Sequence, residues 1–549
     1  MLDDLDLSNI ADEQARRAIQ LLLNLVETLA AENRSLREEI QRLRDENNRL
    51  KGEQAKPNIK PNKRPPPADH SSEAERHQSR PHQKGRKVDQ IAIDRTEDCQ
   101  VDPAILPPDA QFKGYEDVVV QDLLLHTDKV LFRKEKWYAA STRQTYLADL
   151  PAGYAGQYGP NIKALAIVLA YGTKVSEPQI LDLFRSAGSQ LSDGTLSNWL
   201  IHHQDAFHAE KDAIVEAGLR ASPWQQADDT ATRVNGQNHY CQILCNPLYT
   251  AYRTSAAKDR LSVLDVLRNG RPRTFRLNAD AMAQLEAVGI AQITRQRLLL
   301  ALPWEQDLDE GTIHALLATD FPQLGVQARK WILDATAVAA YHAQLEFPIV
   351  RLLLCDDAPQ FQCLTDDLAL CWVHDGRHYK KLAPVIALHR RELTRFLKRY
   401  WAFYDKLLAY RARPSPAARR RLNAAFDRLF ATVSGYQALD ERIAKTRSKK
   451  AALLLVLEHP EIPLHNNASE LGARRRVRKR DVSFGPRTVA GTRAWDTFMT
   501  IAATAQKLGV SFYHSIRDRV SEARQLPNLA DLIDQRAKDL NLGASWDAA

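Results

Sequence analysis

The sequence predicts an α/β protein in which a mixed sheet carries large helical insertions and follows helical segments. Three observations predict this class. An apolar heptad repeat occupies residues 19–50, short strand-like runs carry aspartates at 228 and 356, and long apolar-periodic stretches separate them. With 549 residues the chain is long enough for several domains. Only 22 glycines argue against a turn-rich all-β protein.

Composition excludes several classes of protein. The formal net charge of +8 permits a nucleic-acid partner. The longest apolar run, at 164–171, is too short for a membrane span, which needs about 18 residues. The amino terminus lacks the apolar core of a signal peptide, and six cysteines in this length form no disulfide framework. We therefore expect a cytosolic protein with reduced thiols and no membrane contact.

Residues 1–51 are predicted to form a parallel coiled coil. Leucine occupies every d position of the heptads, β-branched residues occupy most a positions, and two asparagines at a would fix register. Glutamates at g would face basic residues at e of the partner helix. The alternative is a long helix folded back on its own domain. The predicted dimerisation residues are Leu22, Val26, Leu29, Asn33, Leu36, Ile40, Leu43, Asn47 and Leu50.

The next segment, 52–90, is predicted to be a disordered basic linker. Together with Lys51 it holds six prolines, ten lysines and arginines and five acidic residues, with almost no large apolar side chains. Such a segment buries too little surface to fold alone. Nonspecific phosphate contact and a plain linker are both consistent with this composition.

Residues 91–205 are predicted to be a mostly α-helical, DNA-binding region containing a helix-turn-helix. Ser176 and Ser192 each precede an apolar-periodic helix as capping residues, and Gly188 marks the turn between the helices. The first turn of the second helix would then meet base edges. Helix pairs with glycine turns also occur without DNA binding, so spacing alone leaves both interpretations open. The predicted base-contacting residues are Thr195, Ser197 and Asn198.

Two strand-like segments carry aspartates. Asp228 begins a predicted antiparallel meander with an Asn-Gly hairpin turn, which is how a ribonuclease-H-like sheet begins. The apolar run 349–355 predicts a buried strand ending at Asp356. Neighbouring strands lie about 4.8 Å apart, so the two aspartates could share divalent metals, with Glu470 on a returning helix as third carboxylate. The alternatives are solvated turn aspartates and an ordinary acid in the first turn of a helix.

These segments resemble the DDE transposases of the bacterial insertion sequence 66 family. The similarity rests on ADDT with the Asn-Gly hairpin, CDDAPQF, CWVHDGRHYKKL, PLHNNASE and RKRDVSFGPRTVAGTRAWDTFMTIAATAQKLGVSF, and it runs from about residue 112 to 515. The chain departs from the family pattern at His465 and Leu471, where the family often has Asp and Arg. The adjacent Asp229 and Asp357 leave a one-residue shift of either ligand open. The resemblance implies that Asp228, Asp356 and Glu470 are the catalytic and metal-binding residues, supported by Asn466 and Asn467.

The resemblance implies metal-dependent cleavage and strand transfer at the ends of an insertion sequence. Two Mg²⁺ ions, with Mn²⁺ as a substitute, would activate water and later a 3′-hydroxyl, and would stabilise the leaving oxygen. The implied partner is double-stranded DNA, at transposon ends and target, and the coiled coil adds a second copy of the chain. Many elements of the family also encode accessory proteins, and the sequence leaves open whether this one does. The implied location is the bacterial cytoplasm, at the nucleoid. The chain has no Gly-Lys-Ser/Thr phosphate loop, so no ATP is expected.

Two other functions remain open. One is a non-catalytic DNA-binding regulator derived from a transposase, which would bind ends without nicking them. The other is a tyrosine recombinase, which would need a nucleophile such as Tyr513 and would form a covalent DNA adduct.

A basic cluster follows Glu470. Residues 471–495 contain eight lysines and arginines and one acid, which favours phosphate contact over a solvated helix face. His374 and His378, near Cys371, have a spacing that could bind zinc, but we expect them to support the catalytic site and predict no zinc. The predicted phosphate-contacting residues are Arg474, Arg475, Arg476, Arg478, Lys479, Arg480 and Arg487.

The predicted domain plan has seven parts. These are the coiled coil at 1–51, the linker at 52–90, the helical DNA-binding region at 91–205, the first part of the catalytic ribonuclease-H-like domain at 206–277, a helical insertion at 278–345, the rest of the catalytic domain at 346–515 with a second helical insertion at about 380–460, and a carboxy-terminal tail at 516–549.

Overall fold

The computed structural model of the chain describes residues 10–51, 91–123, 125–154 and 156–546. The predicted linker at 52–90 and the first nine residues of the predicted coiled coil lie outside these described residues. Among the residues described, no helix is both long enough and apolar enough to cross a membrane.

The first element of the described residues is one long helix, α1 (Glu13–Leu50), as the heptad repeat predicts. Its a and d side chains from Leu22 to Leu50 point to solvent, and the large apolar ones are 41–80% exposed. Another face of the same helix packs on the body of the protein, where Leu23 is buried. The helix therefore does fold back on its own domain, yet it keeps the apolar stripe exposed.

Residues 91–159 correct the prediction of a mostly helical region. Among the described residues of this range, the regular structure is one 3-10 turn, Pro103–Ile105, and a hairpin of β1 (Lys136–Ala139) and β2 (Gln144–Leu147). The hairpin strands read KWYA and QTYL, and aromatic and β-branched residues favour strands over helices. Helical structure resumes at Pro160, whose fixed φ suits a first helical position.

Between the hairpin and the main sheet, the described residues form four α-helices. The first continues into a π-helical turn, Val168–Gly172. The next two have the predicted caps: the Ser176 N–H donates to Gln179 Oε1 at 3.3 Å, and Ser192 Oγ accepts from the Thr195 N–H at 3.2 Å. The helices are α2 (Pro160–Ile167), α3 (Glu177–Ser186), α4 (Asp193–Ile201) and α5 (Asp205–Arg220).

The antiparallel meander forms as predicted. It consists of β3 (Trp224–Val234), β4 (Gln237–Cys245) and β5 (Thr250–Ser255), followed by α6 (Arg260–Leu267). Asn235 and Gly236 connect β3 to β4 with φ of 48° and 75°, the left-handed pair that a tight hairpin turn requires.

The first insertion is mainly helical and encloses a small two-stranded ribbon. Its longest helix has a continuous buried stretch from Ile332 to Tyr341, which explains the apolar periodicity of this segment. The elements are β6 (Thr274–Arg276), α7 (Ala279–Ala287), α8 (Gln292–Ala301), β7 (Asp307–Asp309), α9 (Glu310–Asp320) and α10 (Val326–Ala343), with β6 antiparallel to β7.

Two short parallel strands complete the main sheet. They are β8 (Leu352–Cys355) and β9 (Asp367–Leu370), followed by α11 (Trp372–Lys381). The sheet order is β5-β4-β3-β8-β9, with the meander antiparallel and β3, β8 and β9 parallel. All four β8 residues are buried, as expected for a central strand covered on both faces.

The second insertion is a helical subdomain with an aromatic core. Trp372 of α11 packs among rings from this subdomain, including Tyr400, Phe403 and Phe426. The insertion is thereby anchored to the helix that follows the sheet. Its helices are α12 (Ala387–Ala412), α13 (Pro416–Phe430), α14 (Gln437–Ser448) and the short α15 (Lys450–Leu453).

The carboxy-terminal segment is not the tail that the sequence predicts. After α16 (Asn467–Ser483), α17 (Val489–Lys507) and α18 (Phe512–Val520), a further helix, α19 (Leu529–Leu540), packs on α5. Leu529 and Ile533 of α19 are fully buried, and Trp224 Nε1 at the start of β3 donates to the Leu542 carbonyl at 2.7 Å. This segment is part of the domain because its apolar residues complete the core beside the sheet.

Candidate functional site

Strand register brings two of the predicted aspartates together. The parallel pairing of β3 with β8 matches Gln226 to Leu354, and Asp228 and Asp356 each stand two residues further along. Residues two apart on a strand point to the same face. Asp228 and Asp356 therefore lie side by side on one face of the sheet, at the carboxyl end of β8.

Asp228 is the most perturbed carboxyl group of the site. Burial, together with the negative charges of Asp356, Asp229 and Glu470, raises its pKa to about 7, against the hydrogen bond that the Asp229 N–H donates to it at 2.9 Å. A carboxyl group whose pKa is raised by burial and by neighbouring acids is one that a bound cation would stabilise in its charged form.

The neighbouring aspartates have other partners. Asp229 is hydrogen-bonded by Gln360 Nε2 at 2.6 Å and ion-paired with Lys258 at 2.8 Å. Burial lowers the pKa of Lys258, but its hydrogen bond to Asp229 and the charges of Asp229, Asp356 and Asp228 raise it overall. Asp357 is exposed and contacts Lys449. Since adjacent strand residues face opposite ways, these contacts favour Asp228 and Asp356 over their neighbours.

Glu470 lies in the first turn of α16, which packs across β3 and β4. Asn466, fully buried, connects that helix to the sheet, because its Nδ2 donates to the Ala227 carbonyl, next to Asp228, at 2.6 Å. Its Oδ1 accepts from Ser469 Oγ, also at 2.6 Å. Asn466 thus links the start of α16 to the backbone beside Asp228. Asn467 begins the helix, and its N–H lies 3.5 Å from His465 Nδ1.

Arg377 is a site residue that the sequence analysis missed. Its guanidinium donates to Glu470 Oε2 at 3.0 Å and to Oε1 at 3.2 Å, and to His374 Nε2 at 3.0 Å. Burial lowers the pKa of Arg377, but the hydrogen bonds and charge of Glu470 raise it overall. Its spacing of three from His374, on one face of α11, was the available signal.

The two histidines of α11 have different surroundings. His374 Nε2 lies 3.6 Å from Glu470 Oε1, and burial lowers the His374 pKa. His378 is exposed, and its pKa is lowered by burial and by the charges of Arg442 and Lys381. His374 therefore belongs to the site, whereas His378 lies among the basic residues beside it.

One group of potential metal ligands is close-packed within the described residues. Cys371, His374 and Glu470 place three ligand atoms within 4.8 Å of one another, whereas Asp228 and Asp356 complete no such group with Glu470 there. The Glu470 oxygens are instead engaged by Arg377. Burial raises the Cys371 pKa to about 12, and its sulfur accepts from the N–H groups of His374 and Asn466. Cys371 therefore acts as a protonated structural acceptor in this arrangement.

The basic cluster divides into a surface set and a buried set. Arg474 and Arg478 are exposed on α16, and they continue at intervals of four the line that begins with Glu470. Arg487 is exposed as well, while Arg475 and Arg480 are partly buried. Residues four apart share a helix face, so the arginines extend the surface on which Glu470 lies.

Arg476 and Lys479 correct the prediction of phosphate contact, because both are buried. Arg476 is fully buried, pairs with Asp496 at 3.2 Å, and lies over the Trp495 ring. Lys479 lies between the rings of Tyr171 and Trp495, and burial lowers its pKa to about 8. Both cations join α16 to the helices behind it, so neither is available to a phosphate in this structure.

The predicted base-contacting residues occupy the start of α4. Asn198 is exposed, whereas Thr195 and Ser197 are partly buried. Thr195 Oγ1 lies 2.9 Å from Ser192 Oγ, and Ser197 is hydrogen-bonded to Glu177. The structure thus presents one of the three side chains freely at the surface.

Comparison with known proteins places this site in a family. A family model described as "Transposase IS66 family" matches residues 352–494, which include Asp356 and Glu470. A protein of Sinorhizobium fredii with the printed name "Uncharacterized protein y4jO" is 30% identical over 327 residues, covering 59% of this chain and 100% of that protein. No solved structure matches the chain. The chain belongs to the IS66 transposase family.

Proposed function

We propose that the chain is a DDE transposase that uses divalent metal ions to cut and join DNA at the ends of an insertion sequence. The observation that carries this proposal is the matched position of Asp228 and Asp356 on adjacent parallel strands, with Glu470 on a helix packed across the same sheet. The strand order, an antiparallel meander followed by two parallel strands, supports a ribonuclease-H-like interpretation of the catalytic domain.

The donor set fits Mg²⁺, with Mn²⁺ as a substitute. Asp228, Asp356 and Glu470 supply carboxylate oxygens, which hard divalent cations prefer. Burial and the neighbouring acids raise the pKa of Asp228, so a bound divalent cation would stabilise its charged form. When bound, two metal ions supply nucleophile activation and charge stabilisation at the leaving oxygen. Arg377 balances the charge of Glu470 through two hydrogen bonds.

The exposed arginines of α16 are the proposed contacts to DNA phosphates. Arg474 and Arg478 share a helix face with Glu470, so a DNA strand bound by these two arginines would lead directly to the carboxylates. Arg487 extends this surface beyond the end of α16. The α3–α4 pair, with Asn198 exposed, is the proposed reader of the terminal inverted repeats.

The exposed stripe of α1 is the proposed dimer interface. Seven leucine, isoleucine and valine side chains at a and d are exposed, and a parallel partner helix would bury them. Dimerisation would allow one assembly to hold two transposon ends.

The decisive experiment uses purified protein, end DNA and Mg²⁺. Asp228→Asn and Glu470→Gln should each lose strand transfer by at least about 100-fold, since even indirect supports of metal ligands are worth 10–100-fold. Asp356→Asn is compared with Asp357→Asn, which removes the neighbouring exposed carboxylate. Full strand transfer by the Asp228 or Glu470 variant would overturn the proposal. If strand transfer is lost in Asp357→Asn and kept in Asp356→Asn, the metal ligand is Asp357 and not Asp356.

The same assay separates the other two functions. A regulator would bind end DNA and leave it intact with either metal ion. A tyrosine recombinase would form a protein–DNA adduct visible on denaturing gels, and Tyr513→Phe would abolish it. A metal-dependent transposase gives nicked DNA without an adduct and is unaffected by Tyr513→Phe.

A further inference from the structure

We infer that the second helical insertion is a docking site for α1, and that this contact fixes each catalytic domain relative to the dimer axis. The contacts of the insertion with α1 give it a specific partner, the segment Gln20–Arg34 of the same chain.

A buried carboxylate forms the centre of the contact. Glu27 is only 8% exposed, and its oxygens accept from the N–H groups of Val385 at 2.9 Å and Ile386 at 2.7 Å. These two N–H groups lie at the amino terminus of α12, where unpaired donors and the helix dipole favour a negative charge. His389, stacked on Tyr436, lies 3.3 Å from the same carboxylate. Glu27 therefore caps a helix that is distant in sequence.

A second polar clamp stands one turn earlier on α1. Asn24 Nδ2 donates to the Gly435 carbonyl at 3.0 Å, and Asn24 Oδ1 accepts from the Gln437 N–H at 3.0 Å. Gly435 has a φ of 80°, and an added Cβ there would collide with the Gln20 side chain. The loop between α13 and α14 is thus shaped to receive this helix.

The docked face and the apolar stripe point in different directions. At 3.6 residues per turn, Gln20, Leu23, Asn24 and Glu27 centre about 150° from the stripe of a and d residues. Beyond Arg34, every residue from 35 to 40 is exposed. One helix can therefore bind the insertion and a second α1 together. The functional consequence rests on the proposed dimeric transposase: two zipped helices would hold two catalytic domains at a fixed separation.

Hydrogen–deuterium exchange of the full-length protein tests the docking without any catalysis. In Glu27→Gln, the amides of 385 and 386 should exchange roughly tenfold faster or more, since each loses a hydrogen bond to a charged group. Glu38→Gln, an exposed carboxylate on the same helix, is the matched control and should leave exchange unchanged. Equal exchange in the Glu27 variant and the unmodified protein would overturn the docking.

A zipper variant separates the two faces. Leu36→Asp combined with Leu43→Asp should give a monomer by light scattering while the amides of 385 and 386 stay protected. Loss of that protection would contradict docking within one chain. Glu27→Gln should remain dimeric and nick single ends normally, but form paired-end product roughly tenfold less, as a looser tether lowers effective concentration. An unchanged amount of paired-end product would show that the contact between α1 and the insertion does not position the catalytic domains. Absence of all nicking in the unmodified protein would instead contradict the proposed function.

Discussion

Arg377 donates two hydrogen bonds, of 3.0 and 3.2 Å, to Glu470, the third carboxylate of the proposed site. The arginine comes from α11 and the glutamate from α16, so the pair links two helices across the proposed site. Any cation that binds Glu470 must share its oxygens with this guanidinium or displace it.

Arg377→Gln should lower the Mg²⁺ concentration needed for half-maximal nicking. A positive charge beside a ligand disfavours a second cation, and charge-assisted bonds of a half-exposed arginine are worth about threefold to tenfold in affinity. A Mg²⁺ titration of nicking measures this, with Arg377→Lys retaining the charge as control. An increased Mg²⁺ requirement would instead show that Arg377 orients Glu470 for binding.

The Asp228 carboxyl should make the metal-free protein less stable as pH rises. Its pKa is raised from 3.8 to about 7 in the folded state, so its stabilising contribution is complete below the unfolded value and is lost as pH rises through 7. The Asp228→Asn variant has no carboxyl group to ionise at this position and therefore does not lose this stability as pH rises. Its stability advantage over the unmodified protein should therefore grow between pH 4 and pH 8, to an upper bound of about 4 kcal/mol.

Thermal unfolding in chelator at pH 5 and pH 8 measures that difference. Added Mg²⁺ at pH 8 should raise the melting temperature of the unmodified protein and have little effect on Asp228→Asn, since ligand binding stabilises the folded state that holds it. A constant difference between the two proteins across this pH range would show that Asp228 titrates normally.

Arg476 should contribute to folding, not to DNA affinity. Arg476→Met leaves Asp496 without its buried partner, and breaking such a pair costs about 3–5 kcal/mol. Arg478→Met, an exposed arginine two positions along, should cost far less and serves as the control. Chemical denaturation gives both values. Weakened DNA binding with unchanged stability in Arg476→Met would mean that this arginine reaches phosphates in a different conformation.

Arg474 and Arg478 should each account for one phosphate contact. Changing both to alanine should reduce the slope of log affinity against log salt by about 1.8, at roughly 0.9 per phosphate. Arg420→Ala, an exposed arginine of the second insertion, is the control. Filter binding or fluorescence anisotropy across a salt series provides the slopes. An unchanged slope in the double variant would place the DNA path elsewhere.

Local features were predictable where local chemistry determines the structure. The Asn235–Gly236 turn, the Ser176 and Ser192 caps and the buried β8 follow from short-range rules and stand in the structure. The side-by-side position of Asp228 and Asp356 followed from strand pairing. These features depend on backbone conformation and periodicity, which the sequence expresses directly.

Tertiary context determined what the sequence could not predict. An arginine run looks equally basic whether it is exposed or buried, so the burial of Arg476 and Lys479 depends on Trp495 and Asp496 arriving from α17. The pairing of Arg377 with Glu470 joins residues 93 apart in sequence. The sequence did not predict helix α19, because the role of a short amphipathic segment becomes clear only when the apolar surface of α5 on which it packs is known.

Because α1 uses two different faces, it cannot be exchanged freely for the corresponding helix of a related protein. A helix whose only contact is its coiled-coil partner can be replaced by any other zipper of the same register. The residues on its far side contact nothing and are therefore interchangeable. In α1 the outward residues include Asn24 and Glu27, which recognise a loop and a helix end more than 350 positions away. If α1 pairs as proposed, a zipper grafted from a relative would therefore pair correctly and still leave the sheet domain untethered, so zipper and insertion must diverge together.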